Sequence, residues 1–468
     1  MVRRHVALLR TTLMAADVLS AMALFVVVSV VRLGDDWLLE FRRVGINPGI
    51  AALAYGIGWL TVVWLNGMYR LRARWSLASD VVTLLRATAI LLVVTVILLV
   101  LLQLSAVSRF VLIALFAGQA VLSIASRVVL RQVFGYLRAR GHITRNMLVC
   151  GAGAAAQDFA DRVERHPDLG LRAIGHLASS ADEGAPPSRP VLGQLEDIER
   201  VLHDSVVDEV AICLPVAAWD LAEPITRLCE SEGKVVRIPG DGRGPTIAGG
   251  RLEVFDGMVI QSLVYGPDRA LSLLGKRLID VVLSALALVL LSPLLLAIGL
   301  WIWRSEGRPV LFRQGRVGEH GRRFVLLKFR TMVPGAEHML DELAAANEVR
   351  GRAFKVTADP RLTRDGAFLR RTSLDELPQL WNVLRGEMSL VGPRPPLPRE
   401  VVGYDVWHRR RLSMKPGMTG LWQVSARREP DFDRWVNVDL EYIDRWSLLL
   451  DLKIMLRTVP ALIAGEGR

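Results

Sequence analysis

Two adjacent carboxylates, Asp375 and Glu376, lie in a segment rich in arginine, and this pairing is the strongest chemical signal in the chain. The surrounding cations include Arg370, Arg371 and Arg394, whose planar guanidinium groups suit the oxygens of a phosphate. A carboxylate among such cations can act as a nucleophile, hold a metal ion, or do both. The segment therefore predicts chemistry on a phosphorylated substrate.

The local spacing also allows a purely structural role for this pair, because Ser373 and Glu376 match a helix capping box. Pro378 argues against a helix that begins at Ser373, since the proline would stand where the helix needs a backbone donor. A helix that starts near Asp375 places Pro378 in the first turn, where no donor is needed. The pair would then lie at the positive end of the helix dipole, which favours ionised carboxylates and anionic ligands. We therefore favour a catalytic pair over a cap.

The composition indicates an integral membrane protein with two or three domains. The chain has 468 residues, of which 51% are hydrophobic, and its formal net charge is +11. Only 7% of the residues are aromatic and no stacking motif interleaves the arginines, so the basic excess favours anionic lipid and phosphorylated substrates over nucleic acid. The three cysteines show no metal-ligand spacing, which predicts buried thiols in a reducing compartment.

Four apolar stretches in the first third of the chain each approach the length of a bilayer crossing. They cover residues 12–33, 48–69, 81–104 and 110–130. Arginines cluster before the first stretch and after the second and fourth, so the positive-inside rule places both ends of this four-helix unit in the cytoplasm. Asp17 and Arg86 fall near the cytoplasmic ends of their helices, where pairing or snorkelling is expected rather than a transport role.

The next part of the chain has the pattern of an α/β dinucleotide fold. An apolar run at 147–150 leads into Gly151, Gly153 and Ala156 and then into an amphipathic stretch that ends at His166. Further strands are predicted at 172–177, 209–214 and 234–238, with a loop at 239–250. No clear acidic residue ends the second strand to hold a ribose, so we predict a degenerate Rossmann-like module rather than an active nicotinamide site.

A second apolar segment, residues 278–303, is long enough to cross the bilayer once. Basic residues flank both of its ends, which favours keeping both in the cytoplasm. Ser292 and Pro293 stand at its midpoint, where the proline bends a helix and the serine hydroxyl can satisfy a freed carbonyl. We predict a re-entrant helix over 276–303 that enters one leaflet and returns, with an ordinary kinked fifth span as the alternative.

Several motifs occur in order after this segment. They are KFRTM at 328–332, DPRLT at 359–363, RRTSLDELPQLWNVL at 370–384, MSLVGPRP at 388–395 and KPGMTGLW at 415–422. With them, the chain from about residue 273 onward resembles the bacterial sugar transferases, which are polyprenyl-phosphate hexose-1-phosphate transferases of the monotopic phosphoglycosyl transferase class. The resemblance extends to long-form members, which carry four N-terminal helices and a Rossmann-like domain.

The resemblance implies transfer of a hexose-1-phosphate from a UDP-sugar to undecaprenyl phosphate, with release of UMP. Asp375 corresponds to the family nucleophile, which forms an aspartyl-phosphosugar intermediate, and Glu376 corresponds to a carboxylate that binds Mg²⁺ beside it. The resemblance implies further site residues, which are the phosphate-binding Arg370 and Arg394, the motif residues Lys328 and Arg330, and the acidic Asp439. UDP-glucose and UDP-galactose are the expected donors by analogy with long-form members.

Together these patterns predict three domains. Residues 1–140 form an α-helical membrane bundle, residues 141–265 an α/β Rossmann-like domain, and residues 266–468 a mostly α catalytic domain with the re-entrant membrane helix. We expect a homodimer at the inner membrane with the catalytic domain on the cytoplasmic face. Two alternatives stay open: a non-catalytic membrane regulator of polysaccharide assembly that senses a dinucleotide through Gly151 and Gly153, and an oxidoreductase or epimerase that uses the same fold.

Overall fold

The computed structural model describes most of the chain, in two compact units. The described residues are 2–43, 45, 47–69, 77–101, 109–139, 144–166, 170–182, 187–240, 247, 250–264, 270–336, 338–339, 359–425 and 431–463. One unit holds residues 1–144 with two short segments, 166–170 and 254–257. The other holds residues 145–165, 171–253 and 258–468.

The first unit is built from helices, four of which are long and apolar enough to cross a membrane. The helices are α1 (Val2–Leu33), α2 (Trp37–Arg43), α3 (Pro48–Leu65), α4 (Leu77–Leu101) and α5 (Arg109–Ala139). The four long helices confirm the four apolar stretches, whereas the short α2 was missed because its apolar run is brief and broken by charges. The side of the membrane on which their ends lie stays a prediction.

A buried ion pair ties α1 to α5 in this unit. Arg127 Nη2 lies 2.9 Å from Asp17 Oδ2, and both side chains are almost fully buried. Tyr69 and Ser123 donate further hydrogen bonds to the Asp17 carboxylate. Of the two outcomes expected for Asp17, pairing and snorkelling, the structure shows pairing, with Arg127 on α5. Arg86 is exposed on α4.

The second unit begins with a seven-stranded sheet in the order β3-β2-β1-β4-β5-β7-β6. The strands are β1 (Arg145–Cys150), β2 (Leu171–Ala178), β3 (Val191–Gln194), β4 (Glu209–Ile212), β5 (Val235–Gly240), β6 (Arg251–Phe255) and β7 (Met258–Leu263), and the helices are α6 (Ala154–Glu164), α7 (Ile198–Asp204) and α8 (Ala222–Ser231). The first five strands pair in parallel and β7 pairs antiparallel to β5. The parallel order 3-2-1-4-5 matches the first five strands of the Rossmann order, which agrees with the Rossmann-like domain that the sequence predicts.

The bent pair of helices that follows corresponds to the predicted re-entrant segment. Helix α9 (Ala270–Leu290) and helix α10 (Ser292–Glu306) meet at an angle of 60°. Ser292 Oγ donates to the carbonyl of Val289 at 2.8 Å, which is the predicted role of this hydroxyl. Pro293 stands in the first turn of α10, where its missing N–H costs nothing, so the bend comes from one helix ending and another beginning.

The C-terminal part is mostly helical and surrounds two short β-ladders. It contains the antiparallel hairpin of β8 (Leu311–Val317) and β9 (Arg323–Phe329), the parallel pair β10 (Ser389–Val391) and β11 (Gly417–Thr419), and the helices α11 (Arg364–Arg371), α12 (Gln379–Arg385), α13 (Pro398–Val402), α14 (Leu421–Ser425), α15 (Phe432–Asp444) and α16 (Leu448–Ile463). An apolar cluster of Ile298, Ile302, Phe329 and Leu369 packs α10 against β9 and α11. This packing fixes the hairpin and α11 around the segment that carries Asp375.

Candidate active site

Asp375 lies in a tight turn between two helices. The turn covers Leu374–Glu376, and Ser373 before it adopts a left-handed conformation with φ of +55°. The α-helix begins at Gln379 with Pro378 as its cap, so the predicted helix start near Asp375 is wrong. Asp375 and Glu376 therefore lie in the turn that follows the left-handed Ser373 and precedes the helix. The prediction that Ser373 does not cap an α-helix is confirmed, because its side chain makes no capping bond.

Helix α12 is held firmly against the hairpin. Asn382 accepts a hydrogen bond from the Leu327 backbone N–H at 3.1 Å and donates to the Val325 carbonyl at 2.7 Å. At the far end of α12, Arg277 donates to the last carbonyls, those of Val383 and Leu384. The middle and the C-terminal end of α12 are therefore bonded to the hairpin and to α9, which fixes the helix that follows the turn.

The Asp375 carboxyl is buried and charged neighbours surround it. Only 5% of the residue is exposed. Its pKa is raised to about 6: burial is the largest cause, the positive charge of Lys328 opposes it, the Glu376 charge adds to the rise, and the Arg370 charge opposes it. At neutral pH the group is therefore ionised, yet it is more basic than an ordinary aspartate. A desolvated and basic carboxylate is a better nucleophile than a solvated one.

Glu376 and Lys328 form an ion pair on the outer side of the turn. The distance from Lys328 Nζ to Glu376 Oε1 is 2.8 Å, and each side chain keeps about a third or less of its surface in solvent. The structure thus brings together three of the predicted site residues, Asp375, Glu376 and Lys328.

The donor chemistry of this turn fits a magnesium ion. Mg²⁺ is commonly held by one or two carboxylates while substrate phosphates and water fill its other positions. Asp375 and Glu376 provide two adjacent carboxylates, and among the described residues there is no cluster of three or more His, Cys, Asp or Glu side chains that would form a closed metal cage. Two carboxylates of this kind could hold an ion whose remaining positions a phosphorylated substrate fills.

Arg370 approaches the turn from α11. Its Nε donates to Thr331 Oγ1 at 3.2 Å, and its charge acts on Asp375. Helix α11 can come this close because Gly366 has no side chain, since a Cβ there would lie 2.1 Å from the Thr331 carbonyl oxygen. The glycine therefore sets the distance between the arginine and the nucleophile candidate.

Arg394 belongs to a second group of charges. Its Nη2 lies 3.9 Å from Glu400 Oε1 on α13, and its guanidinium stacks over the Trp435 ring at 5.7 Å. Arg316 on β8 lies between the two groups, because its charge interacts with both Arg394 and Glu376. Burial, then the Arg394 charge, lowers the pKa of Arg316 to about 10, so an anion beside it would be favourable.

In the sequence, Arg316 is only one of the basic residues that follow the apolar segment 278–303. Its Nη1 donates to the Pro395 carbonyl at 2.8 Å, next to Arg394, while Gln314 accepts two bonds from the other guanidinium nitrogens. Its place in the site follows from the β8–β9 hairpin, which brings Arg316 beside the motif that contains Arg394 and which the sequence did not predict.

Asp439 is buried in α15 beneath Arg394 rather than beside Asp375. Arg411 pairs with its carboxylate and also donates to the Tyr404 hydroxyl. Burial raises the pKa of Asp439 to about 6, while Arg411 and then the backbone N–H and charge of Arg394 oppose the rise. The structure places this residue where it orients the two arginines.

Arg330 is also placed away from the turn. It is 6% exposed, its Nη2 donates to the carbonyls of Glu306 and Gly307, and its Nε lies 3.5 Å from the Glu306 carboxylate. These contacts join the end of α10 to β9. Arg330 thus anchors the bent helix pair to the hairpin that carries Lys328.

The Arg411 pair gives a prediction about stability. Replacing Arg411 with methionine leaves Asp439 buried without its cation, so we expect the free energy of unfolding to fall by about 3 kcal/mol at pH 8. The loss should shrink at pH 5, because the Asp439 pKa is already raised and a protonated carboxyl is neutral. Thermal unfolding of the purified chain at both pH values measures it.

The matched control is Arg445→Met, since Arg445 pairs with Glu441 on the same helix and is 76% exposed. We expect that change to cost well under about 1 kcal/mol. Equal losses for the two variants, or a loss for Arg411→Met that does not depend on pH, would contradict the assignment.

The glycine turn of the Rossmann-like domain is closed by its own chain. Asp182 Oδ2 accepts hydrogen bonds from the backbone N–H groups of Ala152 and Ser179 at 2.8 and 2.6 Å. Gly151 has φ of +111°, and a Cβ there would lie 2.4 Å from the Cys213 carbonyl oxygen. The Asp182 carboxylate occupies the backbone N–H of the glycine turn, where a dinucleotide fold binds a pyrophosphate. Close packing against Cys213 is enough to explain why residue 151 is a glycine. Both facts favour a degenerate Rossmann-like domain over one that binds a dinucleotide.

Comparisons with known proteins agree with the order of these motifs. The family profile described as "Bacterial sugar transferase" matches residues 271–465, and that described as "CoA-binding domain" matches residues 65–238. A relative from Xanthomonas campestris pv. campestris, named UDP-glucose:undecaprenyl-phosphate glucose-1-phosphate transferase, is 32% identical over 364 residues, which are 75% of this chain and 73% of the relative.

Two further relatives match over shorter shares of their length. The galactosyl transferase CpsE of Streptococcus agalactiae is 37% identical over 56% of this chain and 59% of that protein. The undecaprenyl-phosphate galactose phosphotransferase of Salmonella typhimurium is 44% identical over 41% of each chain. This chain therefore spans about half the length of some of the curated relatives that it matches and about three quarters of the Xanthomonas one. From these matches and the site described above, the chain belongs to the bacterial sugar transferase family.

Proposed function

We propose that this chain transfers a hexose-1-phosphate from a UDP-sugar to undecaprenyl phosphate. The buried, basic carboxylate of Asp375, between Lys328 and Arg370, is the observation that carries the proposal. Relatives named for undecaprenyl-phosphate glucose and galactose phosphotransferases support the substrate class. Glucose and galactose are both proposed as the sugar, because the names of the relatives include both. The product would start exopolysaccharide, capsule or O-antigen synthesis.

The proposed reaction has two displacements at phosphorus. The Asp375 carboxylate attacks the phosphorus that bears the sugar, the bond to the bridging oxygen breaks, and UMP leaves. An oxygen of undecaprenyl phosphate then attacks the same phosphorus and breaks the aspartyl bond, which yields the diphosphate-linked lipid sugar and restores the carboxylate. Dividing one displacement into two lets a single carboxylate serve both substrates in turn.

The cations around the turn have separate tasks in this scheme. Lys328 and Arg370 offset the charge that builds up on the transferring phosphoryl oxygens. Arg394, with Arg316 beside it, binds the phosphate groups of the donor. Asp375 and Glu376 would hold Mg²⁺, which neutralises charge on the diphosphate when it is bound.

We also propose that the catalytic part acts at the cytoplasmic face of the inner membrane and that α9 and α10 form a re-entrant element. The 60° bend between them and the basic residues at both ends support this topology. Single cysteines introduced at Ser272 and at Glu306, in a chain freed of its native cysteines, should both react only with a reagent supplied from the cytoplasmic side. Labelling of either one from the periplasm would instead indicate a span. A homodimer stays a prediction.

The assay that tests the function uses membranes containing this chain, labelled UDP-glucose or UDP-galactose, and undecaprenyl phosphate. We expect label in the lipid extract from one of the two donors and release of UMP in equal amount. If neither donor labels the lipid, or if UDP is released instead of UMP, the proposal fails.

The pH dependence of this assay follows from the Asp375 pKa. Because that pKa is raised to about 6, the carboxylate is ionised above pH 6 and protonated below it. We expect kcat/KM to fall about tenfold per pH unit below pH 6 and to be level near pH 7.5. Asp439 titrates in the same range, so Asp439→Asn is the control and should keep the acid limb. If the acid limb disappears in Asp439→Asn, the group that titrates is Asp439 and not Asp375.

A further inference from the structure

A cavity of about 430 Å³ lies inside the second unit, away from the Asp375 turn. One wall comes from the ends of α7 and α8 and the residues just before β4 and β5, including Ser205 and Lys234. The other walls come from the β8–β9 turn, from α13 and from the segment that follows it, including His320, Val401 and Arg409. Neither Asp375 nor Glu376 lines it.

This cavity is also separate from the glycine turn. Gly151 follows β1 and so lies at the carboxyl edge of the parallel strands, whereas Ser205 and Lys234 precede β4 and β5 and lie at the amino edge. Ligands of doubly wound folds bind at the carboxyl edge. The cavity therefore belongs neither to the proposed transfer site nor to a dinucleotide site.

Buried polar groups with unused bonding capacity line the cavity. Arg409 is 9% exposed, and its Nε is buried with no hydrogen-bond partner among the described residues. The Nδ1 atom of His320 is also buried without such a partner, and His320 adopts a left-handed backbone with φ of +56°, a conformation that residues with a Cβ rarely adopt. Buried polar atoms in native proteins are almost always paired, so these atoms point to a missing partner.

The charges of the lining favour an anion as that partner. Its cations are Lys234, Arg323 and Arg409, and its carboxylates are those of Glu232 and Asp204. Glu232 is already engaged, because His203 Nε2 lies 2.8 Å from its Oε1 and Lys234 Nζ lies 4.0 Å from its Oε2. Lys234 makes a hydrogen bond to the Val207 carbonyl, which leaves donors of its ammonium group for a ligand.

We propose that this cavity is a binding site for a small molecule that carries a phosphate group. Arginine and lysine together are the usual protein donors to phosphate oxygens. The volume lies within the range of small-molecule sites, so the ligand can be a free phosphate ion or a nucleotide. His320 would bond the ligand through Nδ1, for which the described residues provide no partner.

Bound ligand would act on the transfer site through the elements that both sites share, and this consequence rests on the proposed function. Pro398 and Val401 line the cavity, and Glu400 between them contacts Arg394. Arg409 and Leu412 also line it, on either side of the Arg411 that pairs with Asp439. Filling the cavity would fix these segments and thus lower the KM for the nucleotide sugar.

The test measures the unfolding midpoint of the full-length chain in detergent with inorganic phosphate or AMP, against chloride at equal ionic strength. We expect a rise with AMP alone if the ligand is a nucleotide, and with both probes if phosphate is sufficient. Arg409→Gln should weaken the apparent affinity at least about tenfold, because it removes a charged donor. The matched control Arg227→Gln, at an exposed arginine of α8, should leave it unchanged.

Two further variants separate this site from the transfer site. Arg370→Gln should keep the ligand-induced rise, and Asp375→Asn should abolish transfer while keeping it. Arg323→Gln, at a more exposed cation of the cavity, repeats the test if Arg409→Gln does not fold. The proposal is overturned if neither probe raises the midpoint, or if the rise is lost in Arg370→Gln and kept in the folded Arg409→Gln or Arg323→Gln variant.

Discussion

Replacing Asp375 with asparagine is expected to lower the rate of sugar-phosphate transfer by at least about 10³-fold, the scale of loss when an enzyme loses its nucleophile. The amide keeps the size of the side chain but cannot attack phosphorus. The fold should tolerate the change, because Asp375 is only 5% exposed and a neutral amide is easier to bury than a carboxylate. The measurement is transfer of label from UDP-glucose or UDP-galactose into lipid.

The same substitution is expected to stabilise the fold above pH 7. The Asp375 pKa is raised from 3.8 to about 6, so the ionised form is disfavoured in the folded chain, and the stability contributed by the protonated form is lost as pH rises through 6. Removing the charge should restore up to about 3 kcal/mol, because each pKa unit corresponds to about 1.4 kcal/mol. Unfolding midpoints of the variant and the parent chain at pH 8 and pH 5 measure this gain.

Asp158→Asn is a suitable control, because Asp158 is 47% exposed on α6 and should give no comparable gain. An inactive Asp375→Asn that is also much less stable than its parent would indicate a structural role for this carboxylate. An active variant would exclude it as the nucleophile.

Removal of Mg²⁺ is the second change with a large expected effect. We expect chelation to reduce transfer to background and added Mg²⁺ to restore it, because the negative charges of a diphosphate repel a carboxylate nucleophile unless a cation offsets them. Glu376→Gln should raise the Mg²⁺ concentration for half-maximal rate at least about tenfold, since it removes a charged ligand.

Glu387→Gln provides the matched control for this variant. Glu387 lies beyond the other end of α12 and accepts a bond from Asn382, so its loss should not change the Mg²⁺ requirement. Full activity in the presence of excess chelator would remove the metal from the scheme. An unchanged Mg²⁺ requirement in Glu376→Gln would remove this carboxylate as a ligand.

Much of the fold could be predicted from sequence because its signals are local. The four long helices follow from length and apolar composition, and the strand, glycine turn and helix at β1 and α6 follow from residues close in the chain. The helix break was predicted at Ser292 and Pro293 because a proline interrupts a helix and a serine hydroxyl can bond the freed carbonyl nearby. Each of these inferences depends on physics that acts within a few residues.

The rest could not be predicted because it depends on contacts between distant residues. The β8–β9 hairpin brings Arg316 between the two charged groups of the site, and nothing near Arg316 in sequence indicates this. Asp182 closes the glycine turn from beyond the second strand, and the cavity at Arg409 forms from segments far apart in the chain. The exact helix start at Gln379 was missed because a left-handed serine has no clear sequence signal.

The most direct test of the account is to trap the chain during turnover. The purified protein is incubated with UDP-sugar and Mg²⁺ in the absence of undecaprenyl phosphate, quenched, digested and mapped by mass spectrometry. We expect one hexose-1-phosphate on the peptide that contains Asp375, lost on addition of undecaprenyl phosphate and not formed in Asp375→Asn. Stoichiometric transfer to lipid with no such adduct, or an adduct on another residue, would contradict it.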